Sequence, residues 1–260
     1  MSKRKKVWLS VVLSVFVVIA LLLVFPTWTP RIHGEQAIAF MDTITVNGTP
    51  HTILVRGHDR RNPVILHVHG GPGHPDMTYA RVFETELEKH FVTVRYDQRQ
   101  AGKSYRFSER DEPLSTDMLV DDLLVLTERV RDMFDDRKVI LAGHSFGAYI
   151  GLQAVAKAPE HYVAYVGIGQ VANTVKSERE TLGKLLSEAS LEGDDRTIDI
   201  LEEIGDDVKN GKAFVPRDII DRYGGYDLGI DDPREMVKGF LFRPETNGFD
   251  AIRFLRGLDD

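Results

Sequence analysis

Residues 139–158 read VILAGHSFGAYIGLQAVAKA, and this stretch decides the fold. Lys138 to Ala142 is a short apolar run that suits a buried strand, while Phe146 to Ala158 is a small-residue-rich helical stretch stopped at Pro159. Between them Gly143-His144-Ser145-Phe146-Gly147 fits the pattern G-x-S-x-G. A chain that turns from strand to helix in so few residues has no room for Cβ atoms at positions 143 and 147. Such a turn presents the Ser145 hydroxyl at the edge of a sheet and at a helix amino end, the placement a nucleophile needs. His144 points away from Ser145 in this turn and reads as a packing residue rather than as its base.

Upstream, Thr43 to Val46 and His51 to Arg56 alternate around Asn47-Gly48, which predicts a hairpin. PVILHVH at 63–69 and FVTVRY at 91–96 are further strands, with a helical pattern over 76–90 between them. A helix capped by Thr116 or Asp117 runs to about Met133, with Leu119, Leu123, Leu126 and Val130 on one stripe. Tyr162 to Ile168 is the last strand of the series. Strands alternating with helices of this length predict an α/β fold with a mostly parallel sheet and helices on both faces. From about Thr174 the sequence becomes charged and helical, with turns at Tyr223 to Tyr226 and at Asp231-Asp232-Pro233, as expected of a helical cap inserted over the core.

His69-Gly70-Gly71-Pro72-Gly73 follows a strand directly. Its glycines let backbone N–H groups approach a carbonyl, and with the N–H of Phe146 they predict an oxyanion hole in which Gly71 is the main donor. A phosphate-gripping loop is the rival reading, but its Gly-Lys-Ser/Thr ending is absent.

HGGPG at 69–73, YDQRQAGKS at 96–104 and GHSFGAYIG at 143–151 together resemble the proline iminopeptidase-like branch of the α/β hydrolases. The resemblance runs from about residue 40 into the cap. It implies Ser145 as nucleophile, Gly71 and Phe146 as oxyanion donors, and a cap that shapes the substrate entrance. In this family the loop reads DQRG-x-G-x-S, so Gln100 stands where glycine is usual, and a change of loop shape is expected. Acidic cap residues of the family hold a substrate amino group; Glu178, Glu180, Glu202 and Glu203 lie in a suitable region, with solvated surface carboxylates as the competing reading.

A serine nucleophile needs a base and an orienting carboxylate, and in this fold the order is Ser, acid, His. His161 is the one histidine after Ser145 in this sequence. It falls at the far end of the helix that begins beside the serine, about 18 Å away, too far to serve. His67 lies within a strand; His69 and His74 flank the oxyanion loop; Asp227, Asp231 and Asp232 have no following histidine to orient. The expectation is therefore that the two core strands carrying acid and histidine are missing and that the chain is truncated. A non-catalytic binding protein and an unusual base from before Ser145 remain as alternatives.

The amino end adds a second theme. Lys3, Arg4, Lys5 and Lys6 precede Val7 to Phe25, 19 residues without a charge, followed by Pro26, Trp28 and Pro30. As a helix this run spans about 28 Å, near the hydrocarbon thickness of a bilayer. It predicts a single-pass membrane anchor with the amino end cytoplasmic and everything after Pro30 outside; a cleaved signal peptide is the alternative. Residues 1–30 thus form tip and anchor, 31–173 the first part of the hydrolase core, and 174–260 the cap region. The net charge of −7 gives nucleic-acid binding little support, and the absence of cysteine removes disulfides and thiolate chemistry. The expected activity is cleavage of a small peptide or amide through an acyl-enzyme on Ser145, without metal or organic cofactor. An esterase or lactonase built on the same machinery is the alternative.

Overall fold

Asn47 and Gly48 both adopt positive φ (46° and 78°), as a two-residue hairpin turn requires. They join strands β1 (Ile38–Val46) and β2 (Thr49–Gly57), which pair antiparallel from Ile38 opposite Gly57 to Val46 opposite Thr49. The computed structural model describes residues 3–77, 83–109, 113–225 and 243–259. Among the described residues four further strands join the sheet: β3 (Val64–Val68), β4 (Val92–Tyr96), β5 (Val139–His144) and β6 (Tyr162–Ile168). Their order is β1-β2-β4-β3-β5-β6, with β2 antiparallel to β4 and all later pairs parallel. The expected α/β architecture is present.

Helix α2 (Thr116–Met133) carries Leu119, Leu123, Leu126 and Val130 into the core beside Val64, Leu66, Val92, Val94 and Leu141. Its cap is Ser115, one residue before the expected position, whose hydroxyl accepts from the Met118 N–H at 3.2 Å. Helix α3 (Phe146–Lys157) follows β5 without a linker beyond Ser145 and buries Ala148, Ile150 and Ala154. The last strand, β6, is an outer strand of the sheet, with Val163, Val166 and Ile168 exposed.

Of the helix expected over 76–90, residues 78–82 lie outside the description, Phe83 is helical, and a 3-10 turn follows at Leu87–Lys89. Glu84 and Asp76 both bind Arg95 of β4, and the Glu88 carboxylate pairs with Arg56 at 2.7 Å. Glu84 and Glu88 are thus buried in ion pairs.

The chain divides into two compact units, 1–170 with 234–260, and 171–233. The second contains α4 (Thr174–Glu192), α5 (Asp195–Lys209) and α6 (Arg217–Arg222) around Leu182, Leu185, Leu201, Val208, Val215 and Ile219. Asn173 and Asp194 cap its two long helices, accepting from Lys176 N–H at 2.9 Å and Thr197 N–H at 3.1 Å. Residues 226–242, including Tyr226, Asp227, Asp231 and Asp232, lie outside the description. Helix α7 (Gly248–Asp259), grouped with the cap on sequence grounds, belongs instead with the sheet-bearing unit. Asp250 pairs with the buried Lys103, and Phe254 meets the His74 ring edge-on at 5.3 Å.

The amino-terminal residues form helix α1 (Lys3–Val24) with Val7, Trp8, Phe16 and Val18 exposed. Among the described residues no helix is long and apolar enough to cross a membrane. The span expected over 7–25 falls partly on Leu9, Ile19 and 21–23, whose side chains lie outside the description.

Candidate active site

Ser145 sits between β5 and α3 at φ 52° and ψ −120°, a backbone conformation that costs a non-glycine residue about 1–3 kcal/mol. The fold holds it there from both sides. Its N–H donates to the Ile168 carbonyl at the end of β6 (2.8 Å), and its own carbonyl accepts from Ala148 (2.9 Å). The flanking glycines are required sterically. A Cβ on Gly147 would lie 2.2 Å from the Val68 carbonyl oxygen and 2.5 Å from that of His69; one on Gly143 would lie 2.6 Å from the Gly147 carbonyl oxygen.

The glycine loop after β3 lies against this elbow, since a Cβ on Gly70 would approach the Ser145 Cβ to 3.1 Å. Gly71 has φ 117°, and a Cβ there would meet the amide nitrogens of Gly73 and His74, both at 2.7 Å. Phe146 is the first residue of α3, in the turn whose N–H groups have no intrahelical partner. Ser145, the Gly70–Gly73 loop and Phe146 thus come together at the carboxyl ends of β3 and β5.

His69, His67 and His161 are engaged by other partners. His69 is buried with both ring nitrogens engaged: Nδ1 donates to the Gly70 carbonyl (2.8 Å) and Nε2 accepts from the Gln98 N–H (3.0 Å). Burial lowers its pKa to about 4, so the ring is a neutral strut. His67 is also lowered to about 4 by burial and lies 3.4 Å from Glu84. His161 precedes β6 while Ser145 follows β5, placing them at opposite ends of a parallel pair; its Nδ1 meets Arg131.

Gln98 was not singled out from sequence, yet it ties the two loops of the site together. Its amide side chain donates to the His69 carbonyl at 2.7 Å while its backbone N–H holds the His69 ring. Nothing in the string YDQRQAGKS marks this residue as a brace; the contact exists only once β3 and β4 are neighbours. Gln100 takes a left-handed backbone at φ 56°, a conformation that favours glycine. Its Oε1 accepts from the Arg106 N–H at 2.9 Å, which offsets part of the strain. Of the cap carboxylates, Glu178 is committed to framework bonds with Val215 N–H (2.8 Å) and Arg217 (2.7 Å), whereas Glu180, Glu202 and Glu203 are exposed. Among the described residues no group of three or more potential ligands could hold a metal ion.

Asp97, at the head of the same loop, is fully enclosed. Burial pushes its pKa up to about 7 against the partial relief of the Lys103 N–H and charge. Below about pH 4 the acid is protonated in both folded and unfolded chains. Between about 4 and 7 only the unfolded chain releases the proton, so this group's contribution to stability falls as pH rises and levels off above 7. Asp97→Asn removes the titration. Its unfolding free energy relative to the parent is expected to rise by about 2–4 kcal/mol from pH 4 to pH 8, measured by urea titration. Using the difference matters, because the lowered His67 and His69 act oppositely, destabilising as pH falls from about 6.5 towards 4.

Residues 63–188 match the family model described as alpha/beta hydrolase fold. Among curated proteins, "Probable aminopeptidase YbaC" of Bacillus subtilis (strain 168) is 33% identical over 147 residues, covering 56% of this chain and 46% of that protein. The chain therefore spans about half the length of the curated relative it matches. Among solved structures, the proline iminopeptidase-related protein TTHA1809 of Thermus thermophilus aligns with a TM-score of 0.47 at 22% identity, over 58% of this chain and 51% of that one. Epoxide hydrolase VrEH1 of Vigna radiata aligns with a TM-score of 0.39 at 24% identity, over 53% and 39%.

Proposed function

We propose that the chain, whose residues 63–188 match the alpha/beta hydrolase fold, is a serine hydrolase of peptide or amide bonds, aminopeptidase-like, working through an acyl-enzyme on Ser145. The observation that carries this reading is Ser145 itself, held at φ 52° between strand and helix with the glycine loop beside it. In this reading the Ser145 Oγ attacks a substrate carbonyl, the N–H groups of Gly71 and Phe146 hold the oxyanion, and water releases the acyl group. The relative's name supports the aminopeptidase direction. Gln98 and His69 then act as positioning residues for the oxyanion loop, without touching substrate.

A second reading, a binding protein without catalysis, is favoured by the commitment of His69 and His161 to other partners. One experiment separates the two. Protein from host membranes is exposed to a fluorophosphonate and its intact mass measured. One added phosphonyl group, absent from Ser145→Ala, is expected; no adduct on the parent protein would overturn the hydrolase reading. A panel of short peptide, ester and lactone substrates then distinguishes peptidase from esterase or lactonase.

For the amino end we propose attachment to the lipid bilayer through residues 7–25, with the amino tip cytoplasmic and the hydrolase outside. The uncharged run behind four basic residues and the exposed apolar side chains of α1 support this. Resistance to alkaline carbonate extraction, and digestion of the hydrolase by protease added outside intact cells, are the expected results.

A further inference from the structure

Away from Ser145, a cavity of about 500 Å³ opens between the residues after α1, the β1–β2 hairpin and α7. Its charged lining comprises Asp42, Lys103, Arg106, Asp250 and Arg253. Lys103 and Asp250 form a buried pair, and Asp250 also accepts from the Asn247 N–H as a helix cap. Asp42 accepts from the neighbouring Thr43 N–H. Two guanidinium groups remain, and among the described residues neither is matched by a carboxylate of its own. Arg106 donates to the carbonyls of Lys103, Tyr105 and Pro50. Arg253 lies over the Phe249 ring and reaches the shared Asp250 at 3.4 Å, while its Nε is buried without a hydrogen-bond partner among the described residues. Burial first and the facing Arg253 charge second lower the pKa of Arg106, only partly opposed by the charge of Glu109.

We propose that this cavity is a binding site for a phosphate group, gripped between Arg106 and Arg253. An oxyanion there would accept the outstanding N–H of Arg253 and relieve the repulsion between the two cations. Two sources offer the same chemistry: free phosphate, or the headgroup of an anionic phospholipid. The second is made pertinent by Val24 and Phe25, which stand on the cavity wall at the end of the apolar helix α1. The site is independent of the chemistry assigned to Ser145.

The test uses the full chain in detergent, titrated calorimetrically with inorganic phosphate at constant ionic strength. In parallel, flotation is measured with phosphatidylcholine vesicles with and without phosphatidylglycerol. Saturable phosphate binding is expected, weakened at least about tenfold in both Arg106→Gln and Arg253→Gln. Loss of the preference for phosphatidylglycerol vesicles in the same variants identifies the lipid as source; phosphate binding with an unchanged vesicle preference identifies the free ion. Lys3 to Lys6 are constant across these comparisons. Absence of saturable phosphate binding, or binding that survives both substitutions, overturns the site. Should Arg253→Gln fail to fold, Arg106→Gln, which breaks bonds to backbone carbonyls alone, carries the same decision.

Discussion

Alanine in place of Gly147 is expected to destabilise the protein by about 3 kcal/mol or more and to abolish fluorophosphonate labelling of Ser145. The added carbon would stand 2.2 Å and 2.5 Å from two carbonyl oxygens at the end of β3. Those oxygens belong to backbone, so the contact cannot be relieved by a rotamer change, and ordinary overpacking costs of about 1–3 kcal/mol are a lower guide. Either β3 and α3 separate, or the elbow opens and Ser145 relaxes from its positive φ. Both routes pull the nucleophile from the glycine loop. Urea midpoints report the stability and phosphonyl incorporation reports the site. A variant that labels at the parental rate with parental stability would refute the packing described here.

The second large effect belongs to Arg95. Its guanidinium is buried between Asp76 and Glu84 and donates to Glu84 through Nε at 3.0 Å. Burial alone would lower its pKa, but the two carboxylates raise it far above the ordinary value, so the charge is permanent. Arg95→Met leaves two carboxylates facing each other without a cation, and about 3–5 kcal/mol is expected to be lost, the range for breaking a buried pair from one side. Glu84→Gln leaves the Arg95–Asp76 pair neutral and is expected to cost distinctly less. Thermal and urea unfolding of both variants checks the order; equal costs would mean that the cluster is not a coupled unit. Since Asp76 follows the glycine loop directly, Arg95→Met should also slow labelling of Ser145.

These two sites mark where sequence reading succeeds and where it stops. The elbow was legible because its constraint is local: Gly143, Ser145 and Gly147 lie within five residues, and the strand before and helix after are continuous in the chain. The Asn47-Gly48 hairpin and the Leu119–Val130 stripe were readable for the same reason. The Arg95 cluster was not, because Asp76 and Glu84 find their cation on a strand that comes later in the chain. Glu178 looked available to a substrate until Val215 and Arg217, some forty residues on, were seen to use it. The left-handed backbone of Gln100 was not legible either, since its bond to the Arg106 N–H is invisible in the string. The placement of α7 beside Lys103 and His74 likewise depends on contacts made across more than a hundred residues.

Strand β6 bonds on one side to β5 and, among the described residues, is the outermost of the sheet. Successive peptide groups of a strand point alternately to its two edges. In heavy water the amides of β6 should therefore fall into two interleaved classes, one retained through its bonds to β5 and the other exchanging quickly. The Ser145 amide, bonded to the Ile168 carbonyl at the tip of this strand, would then lose its proton at a rate set by fraying of β6 rather than by opening of the core. Any molecule that lies along the outer edge would close the gap between the two classes, so the exchange pattern of seven consecutive residues doubles as a detector of pairing at that edge.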